Sequence, residues 1–190
     1  TGAYHAGRAA EGIALLKEVI AERKDFDLAY TYLANFYKEQ GRPKDAEAVL
    51  REASTHNPGS FRIMTSYGIA MIDQGRFDEA VDLLKKSLAL IDFDPETWNY
   101  LGVAYWNKGL YDEALQAYDQ ALSLDRNYPI VFNNRGSLYL SRFLKGRQAA
   151  DLTQAVESFR KAVELDPKYA SAWNGLGVGL RQSGDIDGAI

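Results

Sequence analysis

The feature that most constrains this chain is the recurrence of small side chains every 34 residues. Gly68, Gly102 and Gly136 follow one another at this interval. Three further columns keep the same spacing: Gly7, Gly41, Gly75 and Gly109; Gly12, Ala46, Ala80 and Ala114; Leu16, Leu50, Leu84 and Tyr118. A fixed period of this kind is the signature of repeat proteins, in which stacked units share one continuous core. The sequence therefore predicts an array of repeated units.

Each unit contains two helical patterns. In 95–108 one helical face, spaced i, i+3, i+4 and i+7, holds Trp98, Leu101, Gly102 and Tyr105. The segment 111–124 has the same pattern in Ala114, Leu115, Tyr118, Ala121 and Leu122. Gly109 lies between them, where a helix end favours a residue in the left-handed conformation. Asp94, followed by Pro95 and Glu96, is typical of a helix N-cap and first turn. Each unit is therefore predicted to be a helical hairpin, with small residues where its helices approach.

These residues carry a family resemblance. The motif Trp98-x-x-Leu101-Gly102-x-x-Tyr105, followed by Ala114-x-x-x-Tyr118, resembles the tetratricopeptide repeat (TPR). The motif returns as Trp173-x-x-Leu176-Gly177-x-x-Leu180, and as Ala155-x-x-x-Phe159 with Pro167. Arg135 departs from it, since its column otherwise holds Leu33, Tyr67, Leu101 and Leu176. The resemblance implies an all-α fold, a right-handed α-solenoid of antiparallel helix pairs (the TPR superhelix). It also implies that ligands bind the concave face, which the first helix of each pair forms.

The period divides the chain into repeats of one TPR array over 1–190. We expect a partial repeat at 1–26, full repeats at 27–60, 61–94, 95–128 and 129–169, and a partial repeat at 170–190. The fourth full repeat is seven residues longer, through an insertion within 140–155. We expect the insertion to lengthen the first helix to about Lys145, with Gly146 as the turn glycine and Asp151 as the next cap. Arg142, Lys145 and Arg147 are interpreted as a solvated basic run, with a docking site as the alternative.

Several function classes are disfavoured. The chain has no cysteine, which excludes disulfides and thiolate metal sites, and its net charge of −4 does not suit nucleic-acid binding. No apolar run approaches the ~18 residues that a membrane span needs. His5 and His56 are interpreted as structural or solvated. Gly175, Gly177 and Gly179 resemble a phosphate loop but lie inside a helical pattern with no strand before them. We therefore expect no cofactor, no metal, no nucleic-acid or membrane partner, and no catalysis.

The predicted peptide-binding groove consists of three columns on the first helices, one helical turn apart. The columns are Thr31, Thr65, Asn99, Asn133 and Asn174; Asn35, Ile69, Val103, Ser137 and Val178; and Lys38, Ile72, Trp106, Leu140 and Arg181. Short amides and hydroxyls in the first column could hydrogen-bond the backbone of an extended peptide; alternatively they are merely tolerated on an exposed helix face. Trp106, with Ile69, Ile72 and Val103, is either an apolar anchor for a partner or packs against a neighbouring helix.

Two known TPR binding modes provide tests of this groove. Binders of chaperone tails resemble one another in a basic and asparagine clamp; here Asn35 is in register, but the remaining positions are Thr31, Ser66, Glu96 and Tyr100, without a basic residue. O-linked N-acetylglucosamine transferases carry an asparagine ladder one residue after the Thr/Asn column. That column holds Tyr32, Ser66, Tyr100, Asn134 and Gly175 here, so that only Asn134 matches.

The predicted function is a protein- or peptide-binding TPR module without intrinsic catalysis. The alternative is a scaffold or oligomerisation arm of a larger protein, attached to a catalytic domain outside this chain. The incomplete terminal repeats also suggest head-to-tail self-association. Under the binding hypothesis, Asn99→Ala combined with Asn133→Ala should weaken partner binding and leave the melting temperature unchanged.

Overall fold

The computed structural model describes the backbone of residues 2–184 and the side chains of residues 10–184. This part of the chain contains ten α-helices and no strand, which confirms the all-α fold class of repeated helix pairs. The helices are α1 (Gly2–Glu22), α2 (Asp27–Glu39), α3 (Pro43–His56), α4 (Phe61–Asp73), α5 (Phe77–Leu90), α6 (Pro95–Asn107), α7 (Tyr111–Leu124), α8 (Pro129–Gly146), α9 (Ala149–Leu165) and α10 (Ala170–Ser183). The chain forms two compact units, Thr1–Ala104 and Tyr105–Ile190.

Glycines end several of the helices in the left-handed conformation. Gly41, Gly75 and Gly109 have φ values of +70°, +72° and +77° and follow α2, α4 and α6. The amide of the next residue then reaches back to the helix, as in the 2.9 Å bond from Arg76 N to Met71 O. This is the arrangement of a Schellman cap, which favours glycine because no Cβ is present. The predicted turn at Gly109 is confirmed.

In the first unit the small column is a contact between the two helices of a hairpin. A Cβ at Gly68 of α4 would lie 2.7 Å from Leu84 Cγ of α5, closer than real side chains approach. Leu84 is fully buried, and Ala80 of the same helix is also fully buried. In the second unit a Cβ at Gly136 of α8 would lie 2.9 Å from Phe159 Cδ1 of α9. The packing explanation of the small column is confirmed at both positions.

A buried carboxylate fixes α3 of the first unit against the turn that precedes α5. Glu47 is 8% exposed, and its Oε1 lies 2.6 Å from Arg51 Nη2 and 2.9 Å from Arg76 Nη1. Arg76 also contacts Glu79, at 2.7 Å from Nε to Oε1. Burial by itself would raise the pKa of Glu47, but hydrogen bonds from Arg76 and Arg51 outweigh burial and hold it below its ordinary value.

The inserted segment lengthens α8 of the second unit. This helix has 18 residues and ends at Gly146, which confirms the prediction of a longer first helix. Two details of that prediction are wrong. The left-handed residue is Arg147, with φ of +55°, and the N-cap of α9 is Gln148. Gly146 instead completes the helix, and Asp151 lies buried in the first turn of α9.

The basic residues of this insertion differ in their surroundings: Lys145 and Arg147 are exposed, whereas Arg142 is half-buried between two carboxylates. Arg142 is 31% exposed and lies between Asp112, at 3.2 Å from Nη1, and Asp151, at 3.4 Å from Nε. Arg147 lies over the ring of Phe143, with 5.4 Å to its centroid. The interpretation of a solvated charge run is therefore wrong for Arg142, whose charge holds α8 against α9.

Candidate peptide-binding groove

The first unit contains an open pocket of about 380 Å³ on its first helices. Its walls come from α2, α4 and the beginning of α6. The lining residues are Leu28, Thr31, Tyr32, Asn35 and Lys38 of α2, Phe61, Arg62, Thr65, Ser66 and Ile69 of α4, and Asp94, Glu96 and Tyr100 at and after the N-cap of α6. Five of them belong to the predicted groove: Thr31, Asn35, Lys38, Thr65 and Ile69. The pocket is also lined by all five positions that correspond to the chaperone-tail clamp: Thr31, Asn35, Ser66, Glu96 and Tyr100.

One wall of the pocket is an apolar ledge. Tyr32 is 57% exposed and Leu28 is 36% exposed, and they lie one helical turn apart on α2. Phe61 and Ile69 of α4 are half-buried and continue this ledge. Tyr32 and Leu28 are not among the predicted groove residues. The sequence did contain a signal for Tyr32. It belongs to the column one residue after the Thr/Asn column, and Tyr32, Ser66 and Tyr100 of that column all line the pocket.

The floor of the pocket contains a buried hydroxyl network. Thr65 is 6% exposed, and its Oγ1 lies 2.8 Å from Ser87 Oγ and 2.7 Å from Thr97 Oγ1. The Ser87 hydroxyl donates to Phe61 O at 2.9 Å. Thr97 donates to the Asp94 carboxylate through both its hydroxyl and its amide, the latter at 3.0 Å. The Thr65 hydroxyl thus connects α4 to α5 and α6 instead of facing a ligand.

Burial affects most of the Thr/Asn column. Thr31 is buried and donates its hydroxyl to Leu28 O at 3.0 Å. Asn99 is 3% exposed and Asn133 is 8% exposed, while Asn174 is exposed. The expectation of an exposed polar column is therefore wrong for its first four members, and any role of the column in binding stays a prediction.

The charges in the pocket are unevenly distributed. Lys38 Nζ lies 2.8 Å from Asp73 Oδ2, so this cation is already paired. The Arg62 guanidinium lies over the Phe61 ring, with 4.9 Å to its centroid. At the opposite wall, burial and then the charge of Asp94 raise the pKa of Glu96 above its ordinary value. Burial, followed by the charge of Glu96, also raises the pKa of Tyr100.

Comparison with known protein families settles the family of the chain. Tetratricopeptide repeat profiles match residues 95–128 and, in two overlapping segments, residues 3–63 and 39–100. The two overlapping segments span more than half of the 190 residues. The chain belongs to the tetratricopeptide repeat family. A further TPR profile matches residues 147–178.

Solved TPR structures share this fold. The APC/C hetero-tetramer Cut9–Hcn1 matches with a TM-score of 0.82 at 16% identity, over 97% of this chain and 35% of that one. PilF of Pseudomonas aeruginosa matches with a TM-score of 0.77 at 19% identity, over 99% and 82%. YrrB, described as a TPR protein with an unusual peptide-binding site, matches with a TM-score of 0.63 at 20% identity, over 92% and 87%. No curated protein matches the sequence.

The remaining predicted groove residues of this TPR chain are in different surroundings. Ile72 and Val103 of the first unit are half-buried. Seven others lie in the second unit: Trp106, Asn133, Ser137, Leu140, Asn174, Val178 and Arg181. Leu140 packs against the α9–α10 core, Trp106 and Val178 are half-buried, and Arg181 is exposed. An open cleft of about 500 Å³ in this unit, beside Leu152, Val156 and Leu180, is lined by none of the seven.

Two other kinds of site are absent from the part of the chain that the structure describes. Within it, no set of three histidine, cysteine or acidic side chains is placed to hold a metal ion. None of its helices combines the length and the apolar character that a membrane crossing needs. His56 is the last residue of α3, as expected for an imidazole at a helix C-terminus, and its Nε2 lies 4.0 Å from Glu52.

Proposed function

We propose that this chain is a TPR module that binds a partner protein through an extended peptide segment and carries out no catalysis itself. TPR proteins typically mediate interactions with proteins or peptides and are generally non-catalytic scaffolds. The observation that supports the proposal most is the pocket of the first unit. It combines an exposed apolar ledge with an exposed amide, that of Asn35, on adjacent first helices.

The dimensions of the pocket suit an extended segment. Leu28 and Lys38 lie at its two ends along α2, and ten residues of helix span about 15 Å. An extended chain advances about 3.3 Å per residue, so the pocket matches about four to five peptide residues. The amide of Asn35 and the hydroxyl of Ser66 can each donate to or accept from a peptide backbone without reading its sequence.

The test uses one groove variant and one matched control variant of the full chain. The groove variant combines Tyr32→Ala with Asn35→Ala. The control combines Leu90→Ala with Lys86→Ala, which removes an exposed apolar and an exposed polar side chain from α5. Quantitative affinity purification should recover partners with the wild-type chain and the control that the groove variant loses. Equal recovery by all three proteins would contradict the proposal and favour the scaffold alternative.

The earlier test with Asn99→Ala and Asn133→Ala does not serve this purpose. Both side chains are buried, so their removal should lower stability as well as any binding. Self-association between terminal repeats also stays a prediction. It is decided independently, by the molar mass of the chain in solution.

A further inference from the structure

The charge distribution in the first-unit pocket indicates which peptides it accepts. We propose that the pocket selects an extended segment that places a lysine or arginine side chain beside Asp94, Glu96 and Tyr100 and an apolar side chain on the Tyr32–Ile69 ledge. This inference rests on the proposed function, since it names the class of peptide that the same pocket would bind.

One carboxylate of the acidic wall, that of Asp94, is held in place by the fold. Asp94 caps α6 by accepting from Thr97 N at 3.0 Å, and this bond holds its carboxylate at the helix start. Glu96 follows in the first turn of α6. Partial desolvation of the Glu96 carboxyl, and then the negative charge of Asp94, disfavour its ionised form and raise its pKa. A cation brought by a ligand would stabilise both carboxylates.

Tyr100 completes the subsite for a long basic side chain. It lies one helical turn after Glu96 on α6, and its ring is half-buried in the pocket wall. The aliphatic stem of lysine or arginine can cover such a ring while its charged end reaches the carboxylates. A guanidinium or ammonium group over the ring also gains cation–π attraction.

An acidic ligand suits the pocket less well. Of its two cations, Lys38 is already paired with Asp73 at 2.8 Å, and Arg62 lies over the Phe61 ring. Glu96 stands at one of the positions where the chaperone-tail binders carry their clamp, so a terminal carboxylate would meet a like charge there. Both cations of the pocket oppose a basic peptide, and the charge of Lys38 also acts on Tyr100. Because Asp73 offsets the charge of Lys38, we expect removal of Arg62 to strengthen binding.

The probe is a positional-scanning library of short synthetic peptides, acetylated and amidated so that they carry no terminal charge. The full chain should enrich lysine or arginine at one position and an apolar residue within about four to five residues of it. In the selected peptide, replacing that basic residue by glutamine should weaken binding about three- to fivefold. Fluorescence anisotropy on labelled peptides measures these affinities with the wild-type protein, independently of any effect of mutation on folding.

Protein variants then locate the subsite. Glu96→Gln should remove most of the discrimination between the basic peptide and its glutamine counterpart, whereas Asp82→Asn, an exposed acid on α5, should leave it unchanged. Arg62→Ala should raise affinity for the basic peptide about twofold. Circular dichroism melting confirms that each variant is folded.

The outcomes separate this inference from the proposed function. If peptides are selected without a basic residue, or if discrimination is unchanged in Glu96→Gln, the charge subsite is refuted while peptide binding stands. If the wild-type chain enriches no peptide at all, the proposed function fails together with the inference.

Discussion

Replacing Gly68 by alanine tests whether the small column is a packing requirement. The added Cβ would lie 2.7 Å from Leu84 Cγ and 2.9 Å from its Cδ2. Carbon atoms in contact are normally about 3.5–4.0 Å apart, so Leu84 or the α4 backbone would have to move by about 1 Å. Leu84 is fully buried in a close-packed interior and cannot move into solvent.

Two effects of opposite sign determine how much Gly68→Ala changes the free energy of unfolding. Inside a helix, alanine is favoured over glycine by about 0.8–1 kcal/mol. Overpacking a core by added carbon atoms typically costs about 1–3 kcal/mol. The second effect is the larger one here, so we expect the free energy of unfolding to fall by about 0.5–2 kcal/mol. For a chain of this size, each kcal/mol lowers Tm by roughly 2–4 °C.

Thermal unfolding followed by circular dichroism measures this change. Leu84→Ala and the double variant Gly68→Ala with Leu84→Ala complete a double-mutant cycle. Without the Leu84 side chain beyond Cβ, alanine at 68 should be neutral or stabilising. Ala34 occupies the same column in the preceding hairpin and is buried, so Ala34→Gly is the matched reversal and should destabilise by about 1 kcal/mol. A higher Tm for Gly68→Ala in the wild-type background would refute the packing argument, because helix propensity would then dominate.

Three further predictions concern ion pairs and assembly. Glu47→Gln should lower the free energy of unfolding by about 1–2 kcal/mol, since it weakens charge-assisted hydrogen bonds of a buried carboxylate, while the exposed Glu52→Gln changes it little. Because the pKa of Glu47 is depressed in the folded state, its ionised form contributes fully to stability above the ordinary carboxyl pKa. This contribution to stability is lost as pH falls through the folded pKa. An acid titration in which the Tm values of wild type and Glu47→Gln never converge would contradict this. Arg142→Ala leaves Asp151 buried without its cation and should lower the free energy of unfolding by about 1–3 kcal/mol. Urea unfolding measures this change, and an unchanged midpoint would contradict the prediction. Head-to-tail association predicts a molar mass by light scattering that rises with concentration, and a constant monomer mass would rule it out.

The period predicted the helix pairs because packing columns repeat with the helices that carry them. Gly41, Gly75 and Gly109 end their helices as expected, since a left-handed turn favours a residue without Cβ. The turn after the insertion was not predictable in the same way. There Arg147 adopts the left-handed conformation next to an available glycine, with its guanidinium over the Phe143 ring. This contact between residues four apart occurs only at the end of the lengthened helix, so it leaves no periodic signal in the sequence.

The pocket of the first unit lies on helices that carry the predicted groove columns, but part of its lining is offset from those columns by one residue. Periodicity defines the buried face of a single helix, whereas the neighbouring first helix covers an additional strip that depends on how the two helices pack. Thr31 falls within that strip, and Tyr32, the next residue around the helix, is exposed. Asn35 is exposed as expected, and Lys38 is exposed but paired with Asp73, on another element. A pattern within one helix cannot predict that partner.

The hydroxyl network beneath the pocket distinguishes one hairpin from its neighbour. The positions 34 residues before Thr65, Ser87 and Thr97 hold Thr31, Ala53 and Ile63, so the preceding hairpin has no counterpart of this network. If the chain folded with its hairpins displaced by one repeat, the buried hydroxyls would face alanine and isoleucine. Each unpaired buried hydroxyl costs about 1–3 kcal/mol, whereas the repeated apolar columns would tolerate the displacement. The three hydroxyls therefore favour the observed register of these hairpins over one displaced by a whole repeat.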